Sequence, residues 1–198
     1  MGSPRPLPGG LRHGQRRRLP RPALYRGARL STSGLVLLAP DLEPRIGDLR
    51  ALHDPAARQG MPAHVTVLYP FMDPVDFGPT PRGRLADAVR GFPAFDLSFS
   101  RVGRFPEVLW IAPEPAEAIL ALVAAIVGAF PEFPPYGGQF ETVIPHVTVA
   151  HGDGLDLGAL EPELRRRLAD PVIQRVDAVS LFTTVRRRWR EVDRFLLA

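Results

Sequence analysis

The tetrapeptide His-Val-Thr-Val occurs at His64–Val67 and again at His146–Val149, in a 198-residue chain with only five histidines. In an extended strand successive side chains point to opposite faces, so His64 shares a face with Thr66, and His146 with Thr148, while the valines face the other way. Each copy therefore offers an imidazole beside a hydroxyl, with two apolar side chains to anchor them. Two such strands facing across a cleft would supply two groups that exchange protons near neutral pH and two hydroxyls that hold oxygens between them. That arrangement suits a phosphoryl centre. At such a centre the attacking group must lose a proton as it bonds to phosphorus and the departing oxygen must gain one. One neutral imidazole as base and one protonated imidazole as acid do both, and such positioned proton transfer contributes about 10² to 10⁴ in rate. Donors aimed at the charged equatorial oxygens supply much of the rest, and Thr66 and Thr148 are the candidate donors.

The elements that would position these residues can be read from apolar spacing and punctuation. Leu35–Ala39 is a short buried-strand run, and Asp41 stands where a helix N-cap belongs, followed by Leu42, Ile46 and Leu49 at helical spacing to about His53. Gly60 and Pro62 lead into the first motif strand, which Pro70 ends. Thr80 and Pro81 read as a cap and first-turn proline for a helix carrying Leu85 and Val89. Phe95, Leu97 and Phe99 alternate with polar residues as a half-buried strand, Gly103–Pro106 reads as its turn, and Glu107–Ala112 as the next strand. Glu114 and Glu117 open a helix that Gly128 and Pro131 stop; its apolar residues go nearly all the way round, which predicts a helix wedged between layers. A loop of Pro134, Pro135, Gly137 and Gly138 delivers the second motif strand, which Gly152 and Gly154 end. A helix with Leu160, Leu164 and Leu168 follows, its Arg165–Arg167 run a solvated face. Val172–Leu197 reads as two or three strands with Arg186–Arg188 near a hairpin tip. The order around each motif is alike, and the motifs lie 82 residues apart. The economical reading is an α+β, duplicated bilobal fold: two antiparallel sheets lining a cleft, helices outside, and pseudo-twofold symmetry.

Composition narrows the function classes. The absence of cysteine removes disulfides, thiolate nucleophiles and sulfur-based zinc sites, which suits a reducing cytoplasm. The formal net charge of +4 misleads, because residues 1–33 hold eight arginines and no acid, leaving 17 arginines against 21 acids in residues 34–198. The body is thus mildly acidic. The Pro/Gly-rich segment 1–33 has too little apolar surface to offset its ordering entropy and reads as a disordered tail, with a nucleic-acid or membrane arm, or a transit peptide, as the functional alternatives. The longest apolar run, Ala118–Phe130, is 13 residues, short of the roughly 20 needed to span a bilayer. No membrane partner is expected.

The segments Gly60–Phe71 and Ile144–Val149 resemble the paired His-x-Thr/Ser motifs of the 2H phosphoesterase superfamily, which includes the bacterial 2′-5′ RNA ligases and 2′,3′-cyclic phosphodiesterases. The resemblance covers roughly residues 34–198, supported by the Leu109-Trp110 strand and the Val176-Asp177 strand with its C-terminal hairpin. It implies an enzyme without cofactor or metal, with His64 and His146 catalytic and Thr66 and Thr148 binding phosphate. The implied partner is an RNA end or nucleotide bearing a 2′,3′-cyclic phosphate, handled by a monomer. A leaving 3′ oxygen would give a 2′-phosphate, and the microscopic reverse on an RNA end is 2′-5′ ligation. The alternative is a non-catalytic RNA- or nucleotide-binding module of the same fold.

One position departs from the pattern. Several relatives carry an arginine three residues after the second threonine, where this chain has His151. On a regular strand His151 faces away from His146, which leaves Arg101 or Arg104 as further candidates to balance a phosphate. Tyr69 and Phe71 stand where an aromatic could stack on a base, with core packing the competing reading for Phe71; Trp110 is equally ambiguous. A metal site from His146, His151 and Asp153 matches no recognised ligand spacing. His53 sits at a helix C-terminus, where a cation is mildly favoured without any function.

Overall fold

Proline and glycine punctuation sets most element boundaries in the computed structural model, which describes residues 33–198. The tail expected over residues 1–33 lies outside the described residues except for Ser33, which begins the first strand. β1 (Ser33–Leu38) leads through a 3-10 turn (Pro40–Leu42) into α1 (Glu43–His53). Asp41 is therefore not the N-cap: it lies inside the turn, Leu42 holds the cap position, and the Asp41 N–H donates to Gln174 Oε1 at 3.0 Å. Pro44 in the first turn of α1 lacks an N–H, which lowers the demand for a side-chain cap. The short α2 (Pro55–Arg58) is capped by Asp54 and precedes β2 (His64–Leu68). α3 (Pro79–Val89) starts earlier than Thr80-Pro81 suggests, because Pro79 takes the first helical position behind Gly78.

β3 (Phe95–Phe105) and β4 (Val108–Glu114) form a long hairpin turned by Pro106 and Glu107. Gly103 is thus not in a turn. It lies mid-strand against the Trp110 ring, where an added Cβ would come within 2.3 Å of the indole. Glu114 belongs to β4, and α4 (Glu117–Ala129) follows. The wedged helix expected here has an exposed stripe at Glu117, Leu120, Ala121, Ala124 and Gly128, which mostly small residues make tolerable. Ile119, Leu122, Val123 and Ile126 form its buried side. The remaining elements are β5 (Val147–His151), α5 (Leu157–Arg167, capped by Asp156), β6 (Val172–Val176), β7 (Ala178–Val185) and β8 (Arg188–Leu196).

The strands make two four-stranded antiparallel sheets, ordered β2-β1-β7-β8 and β5-β4-β3-β6. Each has a motif strand at its edge and, beside it, the strand that leads into a long helix. The helices then exchange sheets. α1 follows β1 of the first sheet and packs on β5 of the second, whereas α4 follows β4 of the second and packs on β2 of the first. This reciprocal crossing gives the duplicated, two-lobed α+β fold its pseudo-twofold character. It also merges the lobes into one core, in which Leu35, Val65 and Val67 share a cluster with Ile111, Val147 and Ile126. Full burial of each such side chain is worth about 2 kcal/mol.

Both motif strands carry a β-bulge at the same place. Along β1, Leu35 pairs with Leu68 and Val36 with Thr66, so Val67 is the extra residue; along β4, Leu109 pairs with Ala150 and Trp110 with Thr148, so Val149 is the extra one. An unpaired residue resets the two-residue alternation. Val67 and Leu68 are consequently both buried, as are Val149 and Ala150, and the residues that follow, Tyr69 and His151, return to the face of the threonines. The expectation that His151 faces away from His146 fails for this reason.

Candidate active site

The two edge strands β2 and β5 run close together without hydrogen-bonding to each other, and the space above them is a cleft of about 400 Å³. His64, Thr66, His146 and Thr148 all line it, together with Tyr69, His151, Tyr136 and Trp189. The repeat thus converges on one cavity.

The two imidazoles are held in the same way. His64 Nδ1 lies 2.7 Å from the Pro62 carbonyl oxygen, and His146 Nδ1 lies 2.7 Å from that of Ile144. A carbonyl can only accept, so Nδ1 carries the proton in both rings and Nε2 is left to accept or, when protonated, to donate. Burial pushes both half-buried rings below the ordinary histidine range. His64 is lowered to about 4, burial being the main cause, with the Arg50 charge behind it and His146 across the cleft acting in the same direction. For His146 the covering groups include Phe105, edge-on with centroids 5.3 Å apart, and Trp110 at 6.0 Å.

Arg50 braces the site from behind. This side chain is 1 % exposed, yet its guanidinium donates to the Thr148 carbonyl (3.1 Å), the Met61 carbonyl (3.1 Å), Asp54 Oδ2 (2.9 Å) and Glu43 Oε1 (3.2 Å). Glu43 Oε1 in turn accepts from the Ala63 N–H at 2.6 Å. One buried cation therefore ties the backbone of the second motif to the segment immediately before His64. A bidentate-capable, permanently charged group suits such a junction.

An aromatic wall completes the cleft. Tyr69 and Trp189 meet edge-on with centroids 6.2 Å apart, and Gly34 makes room, because a Cβ there would lie 3.1 Å from the Tyr69 ring. Tyr136 sits in the left-handed region at φ 52°, donates its N–H to the Tyr69 carbonyl at 2.6 Å, and has its hydroxyl hydrogen-bonded with Thr66; burial pushes the phenol up and that bond opposes the rise. Arg50, Tyr136 and Trp189 were not singled out in the sequence. The clue to Tyr136 was its place between Pro134-Pro135 and Gly137-Gly138.

The other candidates separate cleanly. Phe71 belongs to the core, edge-on to Phe77, Phe130 and Phe133. Arg101 is paired with Glu114 and Arg104 with Glu161, and neither lines the cleft. His53 ends α1. Among the described residues no group of three histidine, aspartate or glutamate side chains could hold a metal, and no helix is long and apolar enough to cross a membrane.

Comparison with known proteins accords with this geometry. The profile of the 2′-5′ RNA ligase superfamily matches residues 38–188. No curated protein matches the sequence. Solved structures with a similar fold include E. coli LigT complexed with 3′-AMP (18% identity, TM-score 0.55, covering 85% of this chain and 98% of that one). E. coli LigT complexed with NADP+ is alike (18%, TM-score 0.54, the same coverage). The protein TT0787 of Thermus thermophilus has TM-score 0.56 at 18% identity, over 84% of this chain and 97% of that one.

Proposed function

Because the chain belongs to the 2′-5′ RNA ligase superfamily, within the 2H phosphoesterases, we propose that it is a metal-independent phosphoesterase that opens 2′,3′-cyclic phosphates of RNA ends or nucleotides. The observation that carries this reading is the mirrored hydrogen bond from each Nδ1–H to a backbone carbonyl, which leaves two Nε2 atoms of one cleft to exchange protons. His64 is the more strongly depressed ring and has a cation behind it, so it stays neutral and acts as base. A bound phosphate anion favours the charged form of a nearby imidazole, and His146 takes that proton and acts as acid. Water oxygen then bonds to phosphorus as its proton passes to His64 Nε2. The bond from phosphorus to the 3′ oxygen breaks as His146 Nε2 protonates it, leaving a 2′-phosphate. Thr66, oriented by Tyr136, and Thr148 donate to the non-bridging oxygens, and His151 adds a third contact from the same face. Ligation is not the reverse of this hydrolysis but the same opening with the 5′-hydroxyl of a second RNA in place of water: its proton passes to His64 Nε2, the 3′ oxygen leaves protonated by His146, and a 2′-5′ linkage results.

The test is turnover of a 2′,3′-cyclic mononucleotide in EDTA by wild type and by the His64→Ala, His146→Ala double variant, resolving 2′- from 3′-monophosphate. A 2′-monophosphate from wild type alone is the expected result. Activity that requires an added divalent ion overturns the metal-independent assignment. Binding of nucleotide without product would make the chain a non-catalytic binding module.

A further inference from the structure

Among the described residues no arginine lines the cleft itself; its charged lining is limited to the histidines and to Asp54, which Arg50 already holds. Attraction of an anionic substrate must therefore come from outside it. Of the 17 arginines in residues 34–198, eleven pair with a carboxylate. Five of the other six are Arg58, Arg186, Arg187, Arg188 and Arg190. These cluster where the β7–β8 hairpin meets α2: Arg188 Nη1 donates to the Arg58 carbonyl at 3.3 Å, and the Trp189 N–H donates to the Gln59 carbonyl at 2.8 Å. Trp189 and Gln59 both line the cleft. At about 3.3 Å per strand residue, Arg186 and Arg187 stand within roughly 10 Å of Trp189. An excess of positive charge at the mouth interrupts a body whose net charge is negative.

The turn itself is a second observation. Arg186 and Arg187 are the two central residues of the hairpin, between the paired Val185 and Arg188, and both are left-handed, at φ 49° and 63°. A two-residue turn with positive φ at both positions strongly favours Asn-Gly, which lacks the steric penalty arginine meets there. Two arginines in strained positions, without carboxylate partners among the described residues, are a feature that folding alone does not call for.

We propose that the Arg186–Arg188 hairpin tip, with Arg58, binds the phosphodiester backbone of a single-stranded RNA upstream of the reacting end. This rests on the phosphoesterase reading of the cleft and narrows its substrate from mononucleotides to RNA chains. Trp189 and Tyr69 stack the terminal bases on the wall that joins tip to cleft, the usual pairing of a basic track with aromatic platforms.

The Arg186→Asn, Arg187→Gly variant of the full chain tests it, because this pair suits the turn and keeps the hairpin folded while removing both charges. Two readouts separate the possibilities. The first is fluorescence anisotropy of a labelled single-stranded RNA of about ten nucleotides with a 3′-phosphate, titrated across a salt series. The variant is expected to bind about tenfold more weakly, with a salt slope shallower by about 1.4, as loss of two phosphate contacts to a single strand requires. The eight arginines of residues 1–33 are common to both proteins and cancel in the comparison. The second is turnover, where kcat/KM is expected to fall for an RNA ending in a cyclic phosphate and to stay within about twofold for the cyclic mononucleotide. Unchanged RNA affinity and slope would overturn the proposal, as would an equal loss on both substrates. If wild type turns over neither substrate, the phosphoesterase reading fails, and the anisotropy series still decides whether the tip binds RNA.

Discussion

Replacing Arg50 with methionine tests whether a single buried cation holds the two motifs in register. The substitution keeps an unbranched apolar stem but abolishes hydrogen bonds to Thr148, Met61, Asp54 and Glu43. Summing four charge-assisted bonds would exceed the whole stability of many domains, so they cannot count independently. The better guide is removal of one partner from a buried ion pair, about 3–5 kcal/mol, most of it from the charge left behind. Asp54 is that charge, with its side chain only 3 % exposed. At a urea m-value of about 2 kcal/mol/M, the midpoint should drop by roughly 2 M. Adding Asp54→Asn should recover part of this loss, because asparagine removes the orphaned charge while its side-chain oxygen can still cap α2 at the Ala56 N–H. The assay is equilibrium urea unfolding of wild type, Arg50→Met, Asp54→Asn and the double variant. A cost below about 1 kcal/mol for Arg50→Met, or a double variant no more stable than Arg50→Met alone, would refute the account of Arg50 as the strut between the motifs.

Three further outcomes follow from the histidines and their neighbours. The acid limb of kcat/KM should lie near the lowered His64 value of about 4, whereas kcat should show its limbs displaced to higher pH. A unit charge about 4 Å away at an effective dielectric of 20 is worth about 4 kcal/mol, or roughly 3 pH units. Superimposable kcat and kcat/KM profiles would contradict the acid-base assignment. The same ring makes folding pH-dependent: its folded value lies below the unfolded 6.5, so the unfolded chain binds more protons between about pH 4 and 6.5, and this contribution to stability is lost as pH falls through that window. His64→Ala should flatten the loss, measured by urea midpoints across the pH range. Gly103→Ala would thrust a methyl to within 2.3 Å of the Trp110 ring; it should cost about 1–3 kcal/mol and move the His146 titration, followed by NMR, back toward the ordinary range as the indole is displaced.

The motif histidines and threonines, the duplicated fold and most of its elements were legible in the sequence because each depends on residues near one another in the chain. Arg50 was not, because its meaning lies in a carbonyl 98 residues away; an isolated arginine on a helix normally reads as solvated. Trp189 was hidden behind the arginine run that precedes it. His151 is different, since its local signal was present and contradicted the rule applied to it. Regular alternation would place a polar residue after Val67 and after Val149, yet Leu68 and Ala150 stand there, and two consecutive apolar residues mark a bulge. The repeat is therefore longer than His-x-Thr. It includes a third cleft position, filled by Tyr69 in one copy and His151 in the other, and at this position the two copies of the motif differ. The bulged and regular registers predict opposite results for His151→Ala. In the bulged register the variant loses one hydrogen bond to a charged phosphate, worth about 1.5–3 kcal/mol, so kcat/KM should fall by about ten- to a hundredfold. Stability should stay within about 0.5 kcal/mol, as for an exposed side chain without a structural role. In the regular register His151 would point away from the cleft and the substitution would be silent in both measurements. Turnover within twofold of wild type would therefore sink the third cleft position, while leaving His64 and His146 untouched.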